Sequence, residues 1–256
     1  MKRYLLVLGM GILALLCASC ASTANFDYRR AEGAMQRFRV PLSQHTVCVE
    51  TFGDCRTASC AAPETPAALS EERGSFAYGW IPLMPYSWVS KARPAMPGEH
   101  RLATLKEFNC QFATDLAAAA VASINYSHLF STPCVLATPG TVETDWIFRG
   151  RLYDATYEGA RITYGVTYLL APALWLAGFP SAVSHNHLSV AFELVNRRTG
   201  QVAWDFHYSG KASTVHWLYW NVGKDGSRYA QLMRTAMNAA LYDLSQNFPE
   251  LENVGQ

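Results

Sequence analysis

The chain has 256 residues, half of them hydrophobic, with 21 basic and 20 acidic side chains and a formal net charge of +1. That length and apolar fraction support a sizeable core, in one large domain or two small ones. The near-neutral balance carries no basic patch of the kind that nucleic-acid binding requires.

Lys2 and Arg3 precede an apolar run from Tyr4 to Leu16, shorter than the about 20 residues that a membrane span needs. Cys17-Ala18-Ser19-Cys20 follows. A charged start, a short apolar core and small residues at its end make residues 1–19 a secretory signal peptide. The small residues before Cys20 resemble the lipobox of bacterial lipoproteins. That resemblance implies that Cys20 becomes the N-terminus and carries diacylglycerol and palmitate. Ala21, rather than Asp, implies sorting to the periplasmic face of the outer membrane. The same residues also fit an ordinary signal peptide cut near Ala21 or Ala24.

Residues 20–35 read as a tether, and 36–248 as a single periplasmic domain. Phe38, Val40 and Leu42 alternate with Arg39 and Pro41, and Val47, Val49 and Thr51 alternate after them, both as strands do. Export permits disulfides. Cys48, Cys55 and Cys60 are close enough to pair locally, while Cys110 sits in a helical pattern. With Cys134 they make an odd set of five, so at least one is not paired within the chain. Their spacing is not that of a zinc ribbon, and the sequence offers no metal or cofactor site. Residues 56–70, rich in Ala, Pro, Thr and Ser, read as a loop, and Phe76, Tyr78 and Trp80 alternate beyond it.

Leu105, Phe108, Phe112, Leu116, Ala120 and Ile124 form one stripe, predicting a helix over 102–129. Residues 134–137 are a short strand candidate. Trp146, Phe148, Gly150 and Leu152 alternate as in a half-buried strand. Ser227 is placed to cap a last helix. Its stripe comprises Tyr229, Leu232, Met233, Ala236, Met237, Ala240, Leu241 and Leu244, and Pro249 ends it, leaving 249–256 as a tail.

A hairpin can be registered from the sequence alone. Leu188, Val190, Phe192 and Leu194 share one face, and Val202, Trp204, Phe206 and Tyr208 another. Opposed residues share a side of the sheet. Pairing Arg197 with Gln201 closes a three-residue loop ending in Gly200, and sets Phe192 against Phe206 and Leu194 against Trp204. The other face carries His187, Ser189, Glu193, Asp205, His207, Ser209 and Lys211, which invites a triad reading through Ser189, His207 and Glu193. However, the chain has no Gly-x-Ser-x-Gly turn.

Between Ile162 and Phe192 there is no Asp, Glu, Lys or Arg. The apolar centre, 164–183, reads as a buried helix crossing the sheet, as a membrane- or subunit-facing element, or as a membrane span. Leu169, Leu174 and Trp175 there, with Trp217 and Trp220 in a second aromatic concentration, are candidate partner or membrane contacts, since Trp and Tyr suit such interfaces.

The order from about 102 to 248 includes Asp145-Trp146-Ile147-Phe148-Arg149-Gly150 and Thr199-Gly200-Gln201-Val202-Ala203-Trp204. It resembles the periplasmic α/β domain of curli-secretion lipoproteins and of lipoprotein activators of peptidoglycan synthases. The resemblance implies an accessory or assembly role and supplies no catalytic residues. The expectation is an α/β fold, a mixed or antiparallel sheet packed against two long helices in two to three layers. The expected function is a non-enzymatic, membrane-anchored envelope protein that binds an envelope partner or itself. The alternatives are a periplasmic hydrolase using the 187–211 hairpin, and a secretion or pore subunit.

Overall fold

The computed structural model describes residues 24–56, 76–77, 86–92, 108–109, 111–137, 143–166, 170–221 and 228–254. In chain order the strands are β1 (Ala24–Asn25), β2 (Val47–Glu50), β3 (Gly53–Asp54), β4 (Phe76–Ala77), β5 (Tyr86–Ala92), β6 (Phe108–Asn109), β7 (Val135–Ala137), β8 (Trp146–Ile162), β9 (Ala182–Asn196) and β10 (Val202–His216). The helices are α1 (Phe112–Ser127), α2 (Ala171–Leu176) and α3 (Arg228–Val254). β8 pairs antiparallel with β9 over nearly its whole length, and β9 with β10. On its other side β8 meets β2 and β3 in parallel, then β5 antiparallel. With β7 beyond β2 and β4 beside β5, this is a mixed eight-stranded sheet in an α/β fold, while β1 and β6 pair separately.

Periodicity decides which faces meet. The stripe Tyr229, Leu232, Met233, Ala236, Met237, Ala240, Leu241, Leu244 and Phe248 of α3 is buried in one core with Phe112, Leu116, Ala120 and Ile124 of α1. The sheet side of that core is Val47 and Val49 of β2, Phe148 and Leu152 of β8, and Leu188, Val190, Phe192 and Leu194 of β9. Phe192 is fully buried between Phe52 and Phe148, at ring distances of 5.9 and 5.5 Å. Phe52 lies across Gly150, where a Cβ would fall 2.5 Å from its ring, so this glycine is needed for packing.

Asp145 fixes where β8 starts. Its carboxylate accepts from the Thr46 amide (2.8 Å) and hydroxyl (3.0 Å), and its own amide donates to the Thr46 hydroxyl (3.0 Å). The Thr46 amide, then its hydroxyl and His45, hold the Asp145 carboxyl below the usual carboxylate range. This clasp precedes the Val47–Trp146 pair.

The hairpin register is as the sequence predicts at Phe192–Phe206 and Leu194–Trp204. A bulge between Val202 and Trp204 alters the closure. Asn196, rather than Arg197, bonds across to Gln201, while Gly200 takes a φ of +71°. A second bulge, between Leu152 and Asp154, changes β8 more deeply. Side chains alternate along a strand, so one extra residue exchanges the faces of all that follow. Before the bulge the even residues face the helices; after it Ala155 does, and Asp154 turns to the open face.

Several expectations are corrected. α1 begins at Phe112; Phe108 lies in β6, and Leu105, Cys110 and Ser227 fall outside the described residues. Phe38, Val40 and Leu42 form no strand, because this segment follows the end of α1: the Phe38 amide donates to Ser127 (2.8 Å) and that of Leu42 to Leu129 (3.0 Å). It thereby satisfies carbonyls that a helix end leaves free. Pro249 does not end the last helix, which runs to Val254. A proline inside a helix removes one amide donor and crowds the carbonyl four residues before it, and here the helical turns continue past it.

Nor are residues 28–35 a free tether. Arg234 of α3, 7% exposed, donates to the carbonyls of Tyr28 (2.6 Å), Gly33 (2.9 Å) and Ala31. Asn238 accepts from the Gln36 amide (2.8 Å) and donates to the Ala34 carbonyl (2.7 Å). Tyr28 is buried and bonds Ser123 of α1.

Cys48 and Cys134 are buried free thiols, so Cys48 takes no part in a local disulfide. Burial pushes the Cys134 thiol up to about 12. We expect iodoacetamide to modify neither cysteine in the folded protein at neutral pH, and both in urea, as read by peptide mass mapping. We also expect Gly150→Ala to displace Phe52 and cost about 1–3 kcal/mol, measured by urea unfolding.

Candidate functional site

Two regions gather chemistry-bearing side chains. The first is the open face of the β8–β9–β10 sheet. The bulge brings Asp154 beside His187, whose Nδ1 lies 2.6 Å from the carboxylate, while its Nε2 lies 3.0 Å from Ser209 Oγ. Ser189 Oγ is 3.2 Å from His207 Nε2, and Ser213 Oγ is 2.6 Å from His185 Nδ1. The sequence suggested Ser189 and His207 with Glu193; the structure joins the first two and gives Glu193 to Arg151 at 3.0 Å.

The line Ser209–His187–Asp154 has the order of a nucleophile, base and orienting acid. Such a set works only with donors aimed at the developing oxyanion. Here Ser209 is exposed in mid-strand, and amides in a sheet point along the ladder, within the sheet plane, rather than out of its face. No described helix begins beside it. The hydroxyls and imidazoles instead form cross-strand pairs, the ordinary stabilising unit of a sheet surface. Among the described residues no cluster fit to hold a metal is present.

The second region is the end of the sheet where β8 stops and β9 begins. These strands are adjacent and antiparallel, so the uncharged span between them has no sheet to cross. It makes a surface excursion containing the six-residue α2. Trp175 is buried, with its indole N–H donating to the Ile162 carbonyl at 2.9 Å. That anchor turns the neighbouring apolar side chains outward: Leu170, Leu176 and Phe179 are exposed, and Tyr164 packs edge-on against Phe179. The turn after β10 adds Leu218, Tyr219 and Trp220, the last two about 70% exposed. Tyr219 Oη donates to the Leu176 carbonyl (3.1 Å), joining the two segments.

The turn is shaped by a buried polar group. His216 holds Ser184 Oγ at Nε2 (2.7 Å) and the Asn221 carbonyl at Nδ1 (2.9 Å). Asn221, at φ +59°, donates to the Val215 carbonyl (3.0 Å).

Of the contacts expected from sequence, Trp220 is exposed, Leu174 and Trp217 are half-buried, Trp175 is buried, and Leu169 lies outside the described residues. Leu170, Leu176, Phe179 and Tyr219 were missed, although the missing charge between 162 and 192 marks the region. Cys55 is disulfide-bonded, while Cys20 and Cys60 lie outside the described residues. No helix of the described residues is long and apolar enough to cross a membrane.

The patch also has a defined place relative to the docked segment 28–36. Arg228, at the start of α3, donates to Thr214 near the end of β10 (3.0 Å) and to Glu32 (2.8 Å). The docked segment 28–36 therefore reaches the sheet end that carries the aromatic turn. We expect His216→Ala to orphan Ser184 and release the turn, costing about 1–3 kcal/mol in urea unfolding and speeding proteolysis between 217 and 221.

No family model matches the chain, and no curated protein matches it. Among solved structures it is similar to a Xanthomonas campestris protein of the DUF330 family, with 9% identity and a TM-score of 0.45, covering 91% of this chain and 97% of that one. It is also similar to PelC from Paraburkholderia phytofirmans, crystallised as a dodecamer, with 10% identity, a TM-score of 0.35, and 82% and 93% coverage. A third is a neuraminyllactose-binding hemagglutinin homolog from Helicobacter pylori, with 7% identity, a TM-score of 0.35, and 90% and 98% coverage. Likenesses at this level carry no inference about this chain's partners or activity.

Proposed function

We propose that the protein is a non-enzymatic accessory module of the bacterial envelope, tethered through a lipidated Cys20 to the outer membrane and resting its aromatic sheet end on the lipid surface. The observation that carries this reading is the position of the exposed patch. Leu170, Leu176, Phe179, Tyr219 and Trp220 crowd the same sheet end that Glu32 reaches through Arg228. A tether joining Cys20 to this docked segment keeps that end within reach of the membrane. Trp and Tyr with aliphatic neighbours suit the boundary between acyl chains and water. Apolar side chains seated at that boundary add to the hold of a lipid anchor and orient the domain on the surface. The open sheet face, rich in paired Ser, His, Arg and acidic groups, then remains in water, available to a partner.

Two sets of variants test this. In the full chain expressed with its signal, Cys20→Ala should abolish palmitate labelling. In the Cys20→Ala background, Leu176→Ser with Trp220→Ser should reduce sedimentation with phosphatidylethanolamine–phosphatidylglycerol vesicles by roughly tenfold, with an unchanged circular dichroism spectrum. Unaltered labelling, or vesicle binding indifferent to both patch substitutions, would overturn the respective half of the reading.

A further inference from the structure

The free edge of β10 raises a separate question from the membrane-facing end. β10 is 15 residues long, and among the described residues it pairs with β9 alone. The opposite end of the main strand order, β7, has three residues. Long edges invite pairing with another chain, and proteins blunt them with proline, bulges, repeated charges or a covering element. From Trp204 to His216 there is no proline, and the register runs without a break. α3 packs against β10 through the core on the helix side, with Asp243 accepting from the Trp204 indole at 2.8 Å. That covers a face of the strand and leaves its edge.

The strand has two full charges, Asp205 and Lys211, both on the open face and both exposed. Asp205 stands directly opposite Glu193 of β9, a like charge already engaged by Arg151. Lys211 stands opposite His187, whose carboxylate partner is Asp154. Neither Asp205 nor Lys211 makes an ion pair among the described residues. The two lie three residues either side of Tyr208.

We propose that a second copy of this chain covers the edge, β10 pairing antiparallel with its partner's β10 about a twofold axis at Tyr208. Residues whose numbers add to 416 then stand opposite each other. Asp205 of each copy meets Lys211 of the other, twice over. His207 meets Ser209, and Phe206 meets Gly210, the position over which Tyr208 already leans. Antiparallel pairing about a twofold axis is self-complementary by symmetry, and opposite charges across such a pair are favourable while like charges are not. Shifting the axis by three residues sets Asp205 against Asp205 or Lys211 against Lys211. The charge pair therefore selects one register as well as favouring association. The two open faces join into one surface, so the Ser–His ladders of both copies lie side by side.

The test is sedimentation velocity on the full chain in mild detergent. The wild type should run as a dimer or an even multiple of the monomer. Asp205→Lys alone and Lys211→Asp alone should each weaken association by about tenfold or more, since each creates two like-charge pairs. The double swap Asp205→Lys with Lys211→Asp should restore it. Circular dichroism and the urea midpoint confirm that each variant folds. A monomeric wild type at about 100 µM, or an assembly that neither single swap weakens, would overturn the proposal. Membrane attachment is read separately by the vesicle assay, so either claim can fail without the other.

Discussion

One extra residue in β8 governs how this molecule presents itself. Phe148 and Leu152 face the helices before the bulge, and Ala155 does so after it, because the irregularity between Leu152 and Asp154 exchanges the two faces. Without it, Asp154 would point into an apolar core, where an unpaired carboxylate is costly. With it, Asp154 reaches His187 on the open face. A single long strand can thus fill the core at one end and organise a polar surface at the other.

The second organising contact is the grip of α3 on residues 28–36. Arg234 and Asn238 present side-chain hydrogen-bonding groups to the backbone of residues 28–36, much as a neighbouring strand would. Such a segment has few backbone partners of its own, and buried backbone groups require them. This contact converts residues 28–35 of an expected tether into part of the fold, and Glu32 meets Arg228 at the sheet end that carries the aromatic turn.

The two surfaces differ in chemistry because their supports differ. At the sheet end, Trp175 is consumed by packing and by its bond to Ile162, so the apolar residues on either side of it are left outside. On the open face, regular alternation supplies polar residues at every second position and lets them pair across strands. The first surface suits lipid or an apolar partner. The second stays hydrated and is stabilised by its own hydrogen bonds.

The sequence by itself determined what local periodicity controls. Local periodicity located the core stripe of α3, that of α1 from Phe112 onward, the alternation at the start of β8 and the pairing of Phe192 with Phe206, because helical and strand repeats place apolar residues on one side regardless of distant neighbours. The sequence also marked the uncharged span and Trp220 as candidates for contact. Tertiary structure decided what depends on residues far apart in the chain. Trp175 is buried and Leu176 exposed because Ile162 offers a carbonyl to one of them. Asp154 joins His187, rather than Glu193 joining His207, because a bulge exchanges faces that strict alternation would fix. Residues 28–35 are folded rather than free because an arginine some 200 positions later binds their carbonyls. None of these three outcomes is encoded in spacing along the chain: the first and third are set by backbone carbonyls that need a donor once the sheet and helices have met, and the second by a bulge in the strand register.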